Sequence, residues 1–473
     1  MRWTHDLIVI GAGAAGLTAA GGCARLGLRV ALVERDRMGG ECLNTGCVPS
    51  KALLAAARRA HGMGGGGMGV SAGAAKVDFV GVRAHVQNAI AAIAPHDSVE
   101  RFAAWGVEVI RGDACFAGPR EVQVGDRRLS APRIVVATGS RPAVPDLPGL
   151  ADVPYLTNET LFDLAELPRH LVVLGAGASG LEMAQAFRRL GSDVTVLGNG
   201  QPLPRHDPDA AAAVVRQLES EGVVVRAGVQ AAAASRVKGC IRVALADGGT
   251  VMGSHLLVAI GRRPVLEGLG LQAAGITASP GGIQVDRRRR TSNSHVLAIG
   301  DCREGPRFTH AAGYEGSIAV TAIGFGLPAK VDYAALPSVI YTDPELAQLG
   351  LTETEARRRH KRVRVVQEPF AGNDRAIADG AAAGFARVVL VGRRVAGVTI
   401  VGAGAGDLLL PWSLAMRGKA STWAIGEAVV AYPTRSDITK ALGFAAWEDV
   451  VFGQAARLWA RSLAAIRRCG VKR

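Results

Sequence analysis

Leu7-Ile8-Val9-Ile10-Gly11-Ala12-Gly13-Ala14-Ala15-Gly16 runs from four apolar residues straight into a glycine-spaced loop. The apolar run suits a parallel strand buried on both faces, and the alanine-rich stretch beyond it reads as a helix. In that setting Gly11 makes the turn, Gly13 lets backbone amides approach a pyrophosphate, and Gly16 lets helix and strand pack closely. A second strand, Arg29-Val30-Ala31-Leu32-Val33, ends in Glu34, placed to accept hydrogen bonds from a ribose. The loop alone is weak evidence. Strand, helix, second strand and terminal acid together predict an α/β domain that binds a dinucleotide.

The pattern recurs in Leu171-Val172-Val173-Leu174 followed by Gly175-Ala176-Gly177-Ala178-Ser179-Gly180. Two such folds imply two dinucleotides, and either fingerprint fits either molecule. After the second strand of the repeat, Asp193 to Leu197, the position for a ribose-binding acid is Gly198, so nothing repels a 2′-phosphate. Arg205 suits bidentate phosphate contacts and could help bind such a 2′-phosphate.

Between the loops lies Gly39-Gly40-Glu41-Cys42-Leu43-Asn44-Thr45-Gly46-Cys47-Val48-Pro49-Ser50-Lys51. A regular helix would separate the two cysteines by about 7.5 Å, beyond the roughly 4.4–6.8 Å a disulfide tolerates. The pairing therefore needs a bend, which Gly46 and Pro49 permit. Pro49 suits the first turn of a helix running through Lys51 to Ala57, leaving Cys47 at its positive end with a lowered pKa. We read a redox-active disulfide; two inert buried thiols are the alternative.

The totals bound the rest. A chain of 473 residues exceeds one ordinary core, so two to four domains are expected. Seven cysteines at these spacings suit neither zinc nor a secreted disulfide scaffold, and no resident metal is expected. The thiols fit a reducing cytoplasm, the amino terminus leaves no room for a signal peptide before its first strand, and no apolar run reaches membrane-spanning length. The formal charge of +14 is carried by scattered arginines without interleaved aromatics, so no nucleic-acid partner is expected. The dense run Arg287 to Arg290 reads as a solvated turn. Residues 61–77, with Gly64 to Gly67, read as a flexible excursion, and a helical pattern runs from Val80 to Trp105.

The Gly39 to Lys51 run, with glycine loops on either side, resembles the active-site signature of the flavin-dependent pyridine nucleotide-disulfide oxidoreductases, which include dihydrolipoyl dehydrogenase, glutathione reductase and mercuric reductase. The resemblance implies an FAD-binding domain from residues 1–153 and 285–332, an NAD(P)-binding domain at 154–284 and an α+β dimerisation domain at 333–473, assembled as a homodimer. Both nucleotide domains would be Rossmann-like. It assigns FAD to Gly11, Gly13, Ala14, Ala15, Gly16, Glu34, Gly40, Glu41, Thr138, Gly139 and Asp301. The nicotinamide coenzyme, NADPH or NADH, falls to Gly175, Gly177, Gly180, Arg205 and Gly261. Cys42 would face the substrate and Cys47 the flavin, with Lys51 near the flavin's reactive nitrogen and Glu182 paired to that lysine. Cys302 beside Asp301 would be a packed thiol.

One segment departs from the family. Disulfide-reducing relatives carry His-x-His-Pro-Thr-x-x-Glu near the carboxyl terminus, whereas this chain has Val430-Ala431-Tyr432-Pro433-Thr434-Arg435-Ser436-Asp437. Histidine cycles a proton near neutrality; tyrosine, with a pKa of about 10, mainly donates one. Mercuric reductases share this tyrosine but end in a vicinal cysteine pair, and here only Cys469 stands near the end. The expected activity is electron transfer from NAD(P)H through FAD and Cys42/Cys47 to a small-molecule acceptor that needs little proton transfer, such as a metal ion or an unusual disulfide. The alternatives are a dihydrolipoyl dehydrogenase or glutathione reductase type enzyme with a substitute base, Asp437 or His310, and a nicotinamide-sensing flavoprotein without efficient turnover. Phe444 to Ile466 reads as one helix with Trp447, Val451, Leu458 and Trp459 on one side and Arg457, Arg461, Arg467 and Arg468 at its end. Packing on the dimerisation domain is expected for it, and membrane contact is the sharper but less favoured reading.

Overall fold

All four residues of β1 (Leu7–Ile10) are apolar and buried, as a central parallel strand requires. In the computed structural model, which describes residues 2–64, 68–70, 73 and 76–470, the chain turns at once into α1 (Ala14–Arg25) and returns as β2 (Val30–Glu34). The side chain of Cys469, and residues 65–67, 71, 72, 74 and 75 of the glycine-rich excursion expected at 61–77, lie outside the described residues. Two helices follow β2: α2 (Gly40–Asn44) and α3 (Cys47–Gly64). β3 (Val107–Arg111) and β4 (Arg133–Val136) then pair in parallel with β2 and β1. The helical pattern over Val80 to Trp105 is two helices, Phe79–Ile93 and Val99–Ala104, because Pro95 lies in a 3₁₀ turn between them and Ser98 caps the second.

The repeat builds a second parallel sheet. β5 (Tyr155–Leu156), β6 (His170–Leu174), α4 (Ala178–Leu190), β7 (Asp193–Gly198), α5 (Pro208–Ser220), β8 (Val224–Ala227) and β9 (His255–Val258) give the strand order β8-β7-β6-β9-β5. The chain then returns to the first sheet, where β10 (Val296–Ala298) pairs with β4 and completes the order β10-β4-β1-β2-β3. α6 (Thr309–Gly324) follows.

A buried ion cluster anchors this return. The Glu315 carboxylate, on α6, accepts from Arg303 Nε at 3.1 Å and Nη2 at 2.5 Å, from Arg289 Nη1 at 3.4 Å and from the Gly300 N–H at 2.7 Å. Arg303 and Glu315 are fully buried and Arg289 nearly so. The run Arg287 to Arg290 is therefore not a solvated turn throughout. Arg289 adopts a left-handed conformation (φ +64°) and points inward, while Arg290 pairs with Asp286.

The described chain divides into two compact units, 1–201 with 221–332, and 202–220 with 333–473. The second unit carries an antiparallel sheet of β11 (Pro337–Ile340), β12 (Glu345–Gly350), β13 (Val363–Pro369), β14 (Phe385–Val391) and β15 (Arg394–Gly402), ordered β11-β12-β15-β14-β13. Phe370, Val388, Ile400, Trp412 and Leu442 fill its core. α5 belongs to this unit. Gln348 Oε1 accepts from the Asp207 N–H just before the helix at 2.9 Å, and Arg387 reaches Asp207 and Asp209 at 2.8 and 2.7 Å. The segment expected as one helix from Phe444 to Ile466 is three: Asp437–Ala445, Glu448–Val451 and α7 (Gln454–Gly470). The last break falls at Gly453, where an added Cβ would lie 2.3 Å from the Asp449 carbonyl oxygen.

Candidate active site

α2 stops at Asn44, Thr45 and Gly46 carry the bend, and α3 starts afresh at Cys47. The two helices enter through Gly39 and Gly40, both at positive φ. A side chain at Gly40 would lie 2.7 Å from the Gly13 Cα, so the thiol segment is seated directly on the first glycine loop. Both cysteines are free thiols, Cys42 half-buried and Cys47 exposed, and they share a hydrogen bond. Cys47 Sγ also lies 3.2 Å from the hydroxyl of Thr309, the first residue of α6. On the other side, Lys51 Nζ meets Glu182 Oε2 at 2.9 Å, joining α3 to the buried face of α4.

These neighbours split the two sulfurs. The hydrogen bond from Cys42, helped by Thr309 and the Lys51 ammonium, pulls the Cys47 thiol down to about 6 against the opposing effects of the protein atoms that partly desolvate its sulfur and of Glu182. The same bond, with burial, pushes Cys42 up. Near neutral pH one sulfur is a thiolate and the other a thiol that donates to it.

A polar chain runs beside the pair. Glu41 accepts from Arg262 Nη1 at 2.5 Å and from Asn158 Nδ2 at 2.8 Å, and Asn158 also donates to the Thr45 carbonyl at 3.0 Å. Arg262 Nε donates to Ser140 Oγ at 2.8 Å, and Ser140 donates to Asp301 Oδ2 at 2.6 Å. Burial pushes the Glu41 carboxyl up to about 7, with Arg262 opposing. Thr138 donates to the Val265 carbonyl, and Gly139 and Gly261 sit at positive φ on the connections between the nucleotide folds. Sequence reasoning did not single out Thr309, Asn158 or Arg262. Arg262 had a signal, since it follows the glycine that closes a parallel strand; Asn158 had none. Cys302 is fully buried, donates to the Val136 and Ile299 carbonyls, and is pushed up to about 12 by burial, so it is a packed thiol.

Both glycine loops suit a dinucleotide. α1 and α4 are capped by Gly13 and Gly177 with no side-chain hydrogen bond, which leaves their first-turn amides open to an anion. A Cβ on Gly177 would meet nothing within 4 Å, and one on Gly13 only Gly40 Cα at 4.0 Å, so backbone-close approach is free at each. Glu34 steadies the first loop by accepting from the Ala12 N–H at 2.6 Å. At the matching place in the repeat, a side chain on Gly198 would lie 2.9 Å from Ala176 Cβ, which explains why no acid stands there. Gly16 and Gly180 pack against their own loops: added Cβ atoms would lie 1.8 and 2.0 Å from the carbonyl oxygens of Gly11 and Gly175. Gly180→Ala is expected to weaken NAD(P)H binding at least about tenfold while leaving flavin content unchanged, measured by coenzyme titration and by absorbance of the purified protein.

Arg205, Tyr432 and Asp437 belong to the second unit. Arg205 is exposed, and its carbonyl accepts from Gln348. Tyr432 is 75% exposed, and its hydroxyl donates to Asp374 Oδ2 at 2.9 Å, which raises the phenol pKa. Asp437 accepts from the Thr434 N–H at 3.3 Å. His310, on α6 in the first unit, is exposed and stacks on Phe308 with ring centroids 5.1 Å apart.

Residues 5–316 match the pyridine nucleotide-disulphide oxidoreductase family, and residues 336–442 match its dimerisation domain. The chain belongs to this family, and it is an enzyme that uses FAD and NAD(P)H. A dihydrolipoyl dehydrogenase of Thermus scotoductus is 38% identical over 452 residues, covering 92% of this chain and 95% of the relative. A mercuric reductase of Streptomyces lividans is 38% identical over 362 residues, covering 74% and 76%. Among solved structures, the Cu(II) complex of the HOCl-induced flavoprotein disulfide reductase RclA from Escherichia coli aligns with a TM-score of 0.84 at 26% identity, covering 93% of this chain and 99% of that one. The match to the dimerisation domain supports a homodimer.

Proposed function

We propose that this enzyme passes electrons from NAD(P)H through the Cys42/Cys47 pair to a thiophilic metal ion such as Cu(II) or Hg(II). The observation that carries the proposal is Tyr432, whose hydroxyl is committed to Asp374 at 2.9 Å with its pKa raised. With its proton held by a carboxylate and its pKa raised, this phenol is a weak acid near neutral pH and, being already protonated, cannot take a proton up. It does not cycle one each turnover, so an acceptor that must be protonated is disfavoured there. A soft metal ion asks instead for thiolate ligands, and Cys47 supplies one near neutral pH. The mercuric reductases among the relatives and the Cu(II) complex of RclA support the same acceptor class.

In this reading the first glycine loop, Glu34, Gly40, Thr138, Gly139 and Asp301 hold FAD, with Glu41 bracing the site through Arg262. Gly175, Gly177, Gly180 and Gly261 hold the nicotinamide coenzyme, NADPH rather than NADH because Gly198 leaves no acid against a 2′-phosphate, with Arg205 as its phosphate partner. FAD, when bound, carries the electron pair from the coenzyme to the sulfur pair. The protein's part is to keep Cys47 ionised through Cys42, Thr309 and Lys51, and to hold that lysine with Glu182. Oxidation of this thiolate–thiol pair to a disulfide releases two electrons and one proton, and the two electrons suffice to convert two Cu(II) to Cu(I) or one Hg(II) to the metal. The domains follow the boundaries 1–153 with 285–332, 154–284 and 333–473, except that α5 within 154–284 is tied by Gln348 and Arg387 to the last of them. We place the enzyme in the cytoplasm, where a cycling dithiol is kept supplied with reductant.

Resemblance to the Thermus scotoductus dihydrolipoyl dehydrogenase over nearly its whole length favours a second reading, a disulfide acceptor with Asp437 or His310 as the base. An anaerobic acceptor panel separates the two. With NADPH or NADH as donor, Cu(II) or Hg(II) is expected to be reduced at least about 10²-fold faster than lipoamide or glutathione disulfide, the span that general acid-base help supplies. Equal or faster disulfide turnover would replace the metal reading.

A further inference from the structure

α7 is exposed almost throughout, and from Arg457 to Arg468 Leu463 alone is even half-buried. Leu458, Trp459 and Ile466 are 55%, 68% and 67% exposed, and Phe452 just before the helix is 52% exposed. The packing on the dimerisation domain expected for Phe444 to Ile466 is present at its start, where Ala446 is buried and Trp447 packs on the core and donates to Thr422, but α7 itself shows none of it among the described residues. At about 100° per residue, Arg457, Arg461 and Arg468 fall within about 40° of one another, while Leu458, Trp459, Leu463 and Ile466 fill an arc of about 140° on the opposite side. The helix holds four arginines and no acidic residue. Asp449, shortly before it, is engaged by Arg364 and Arg393.

We propose that α7 is an interfacial anchor that lays the enzyme on an anionic lipid bilayer. Its apolar side would face the acyl boundary and its arginines the lipid phosphates. The charge pattern selects this occupant. A second copy of α7 would cover the apolar side but leave the arginines, on the opposite side, without an anionic partner. A nucleic acid would satisfy the arginines but leave the opposite apolar side in water. A bilayer surface with anionic headgroups answers both sides at once, and a tryptophan on the apolar side suits the interface, where one part of its ring system is dry and the indole N–H is wet. Arg467, at the edge of the apolar arc, can lay its stem along the lipid and raise its head to the phosphates.

The test is cosedimentation of the full-length holoenzyme with vesicles of phosphatidylcholine alone or mixed with phosphatidylglycerol. The protein is expected to pellet with the mixed vesicles at low salt, to stay in the supernatant with phosphatidylcholine, and to be released by raising the salt. The pair Arg457→Gln with Arg461→Gln is expected to weaken partitioning on the order of twenty-fold, from about five-fold per arginine. Trp459→Ser with Ile466→Ser is expected to abolish it, and NAD(P)H turnover in solution should be unchanged in both variants. Failure to pellet with the mixed vesicles overturns the proposal, as does pelleting that survives both pairs of substitutions. Conversion of the dimer to monomers by the Trp459 and Ile466 changes, without lipid binding in the parent, would assign α7 to a contact between copies instead. Retention of the parent by DNA but not by vesicles would assign it to nucleic acid.

Discussion

Cys47→Ser is expected to cut NAD(P)H-dependent reduction of every acceptor on the order of 10³-fold or more, because the thiolate that the surrounding residues create has no replacement. Cys42→Ser should do the same, since the sulfur pair acts as a unit and single losses in such units cost nearly as much as complete removal. The electrostatic origin of the thiolate gives a sharper signature than activity. In the reduced enzyme, alkylation of Cys47 by iodoacetamide should rise with pH through a midpoint of about 6, set by the hydrogen bond from Cys42, Thr309 and Lys51. The thiolate is present above that pH and lost below it. Lys51→Met removes a stabilising cation, so the midpoint should climb by about one unit. Glu182→Gln removes a destabilising anion, so it should fall. An alkylation midpoint near 8.5 in the parent, the value of an unperturbed cysteine, would refute the electrostatic assignment.

Glu315→Ala is expected to destabilise the first unit by about 3–5 kcal/mol, because it strands the fully buried Arg303 without its carboxylate. Burial pushes the Glu315 carboxyl up, while Arg303, the Gly300 N–H and Arg289 hold it down. The alanine variant loses all of these partners together. Glu315→Gln keeps the shape and an acceptor for Gly300 and should lose less. The measurement is the urea midpoint of the purified flavoprotein, with released flavin followed by fluorescence, since Gly300 precedes Asp301 and its N–H is fixed by Glu315. A loss below about 1 kcal/mol would show that the cluster contributes little.

These two sites divide what could be read from the sequence from what could not. The β1-α1-β2 unit and its repeat were legible because each is local: an apolar run, glycines at fixed offsets and a strand end lie within about 30 residues. The bend between Cys42 and Cys47 was legible because the geometry of a disulfide forbids a continuous helix. Tertiary pairing was not. Arg289 lies in a run of four arginines whose composition says solvent, and only the fold brings it to Glu315, 26 residues away. Asn158 and Arg262 meet Glu41 across more than 100 residues, with no periodicity to announce it. The carboxyl-terminal helix was misread as continuous because its apolar spacing carries across Gly453, where the backbone turns.

The assignment of α5 to the second unit bears on how this enzyme can be taken apart. Its strand neighbours β7 and β8 lie in the first unit, but its own anchors, Gln348 and Arg387, are supplied from the second. A chimera that exchanged the polypeptide from Tyr333 onward would keep the helix and discard its ties. A workable exchange has to transplant 202–220 as well, so the natural seams for recombination here are not single cuts in the gene.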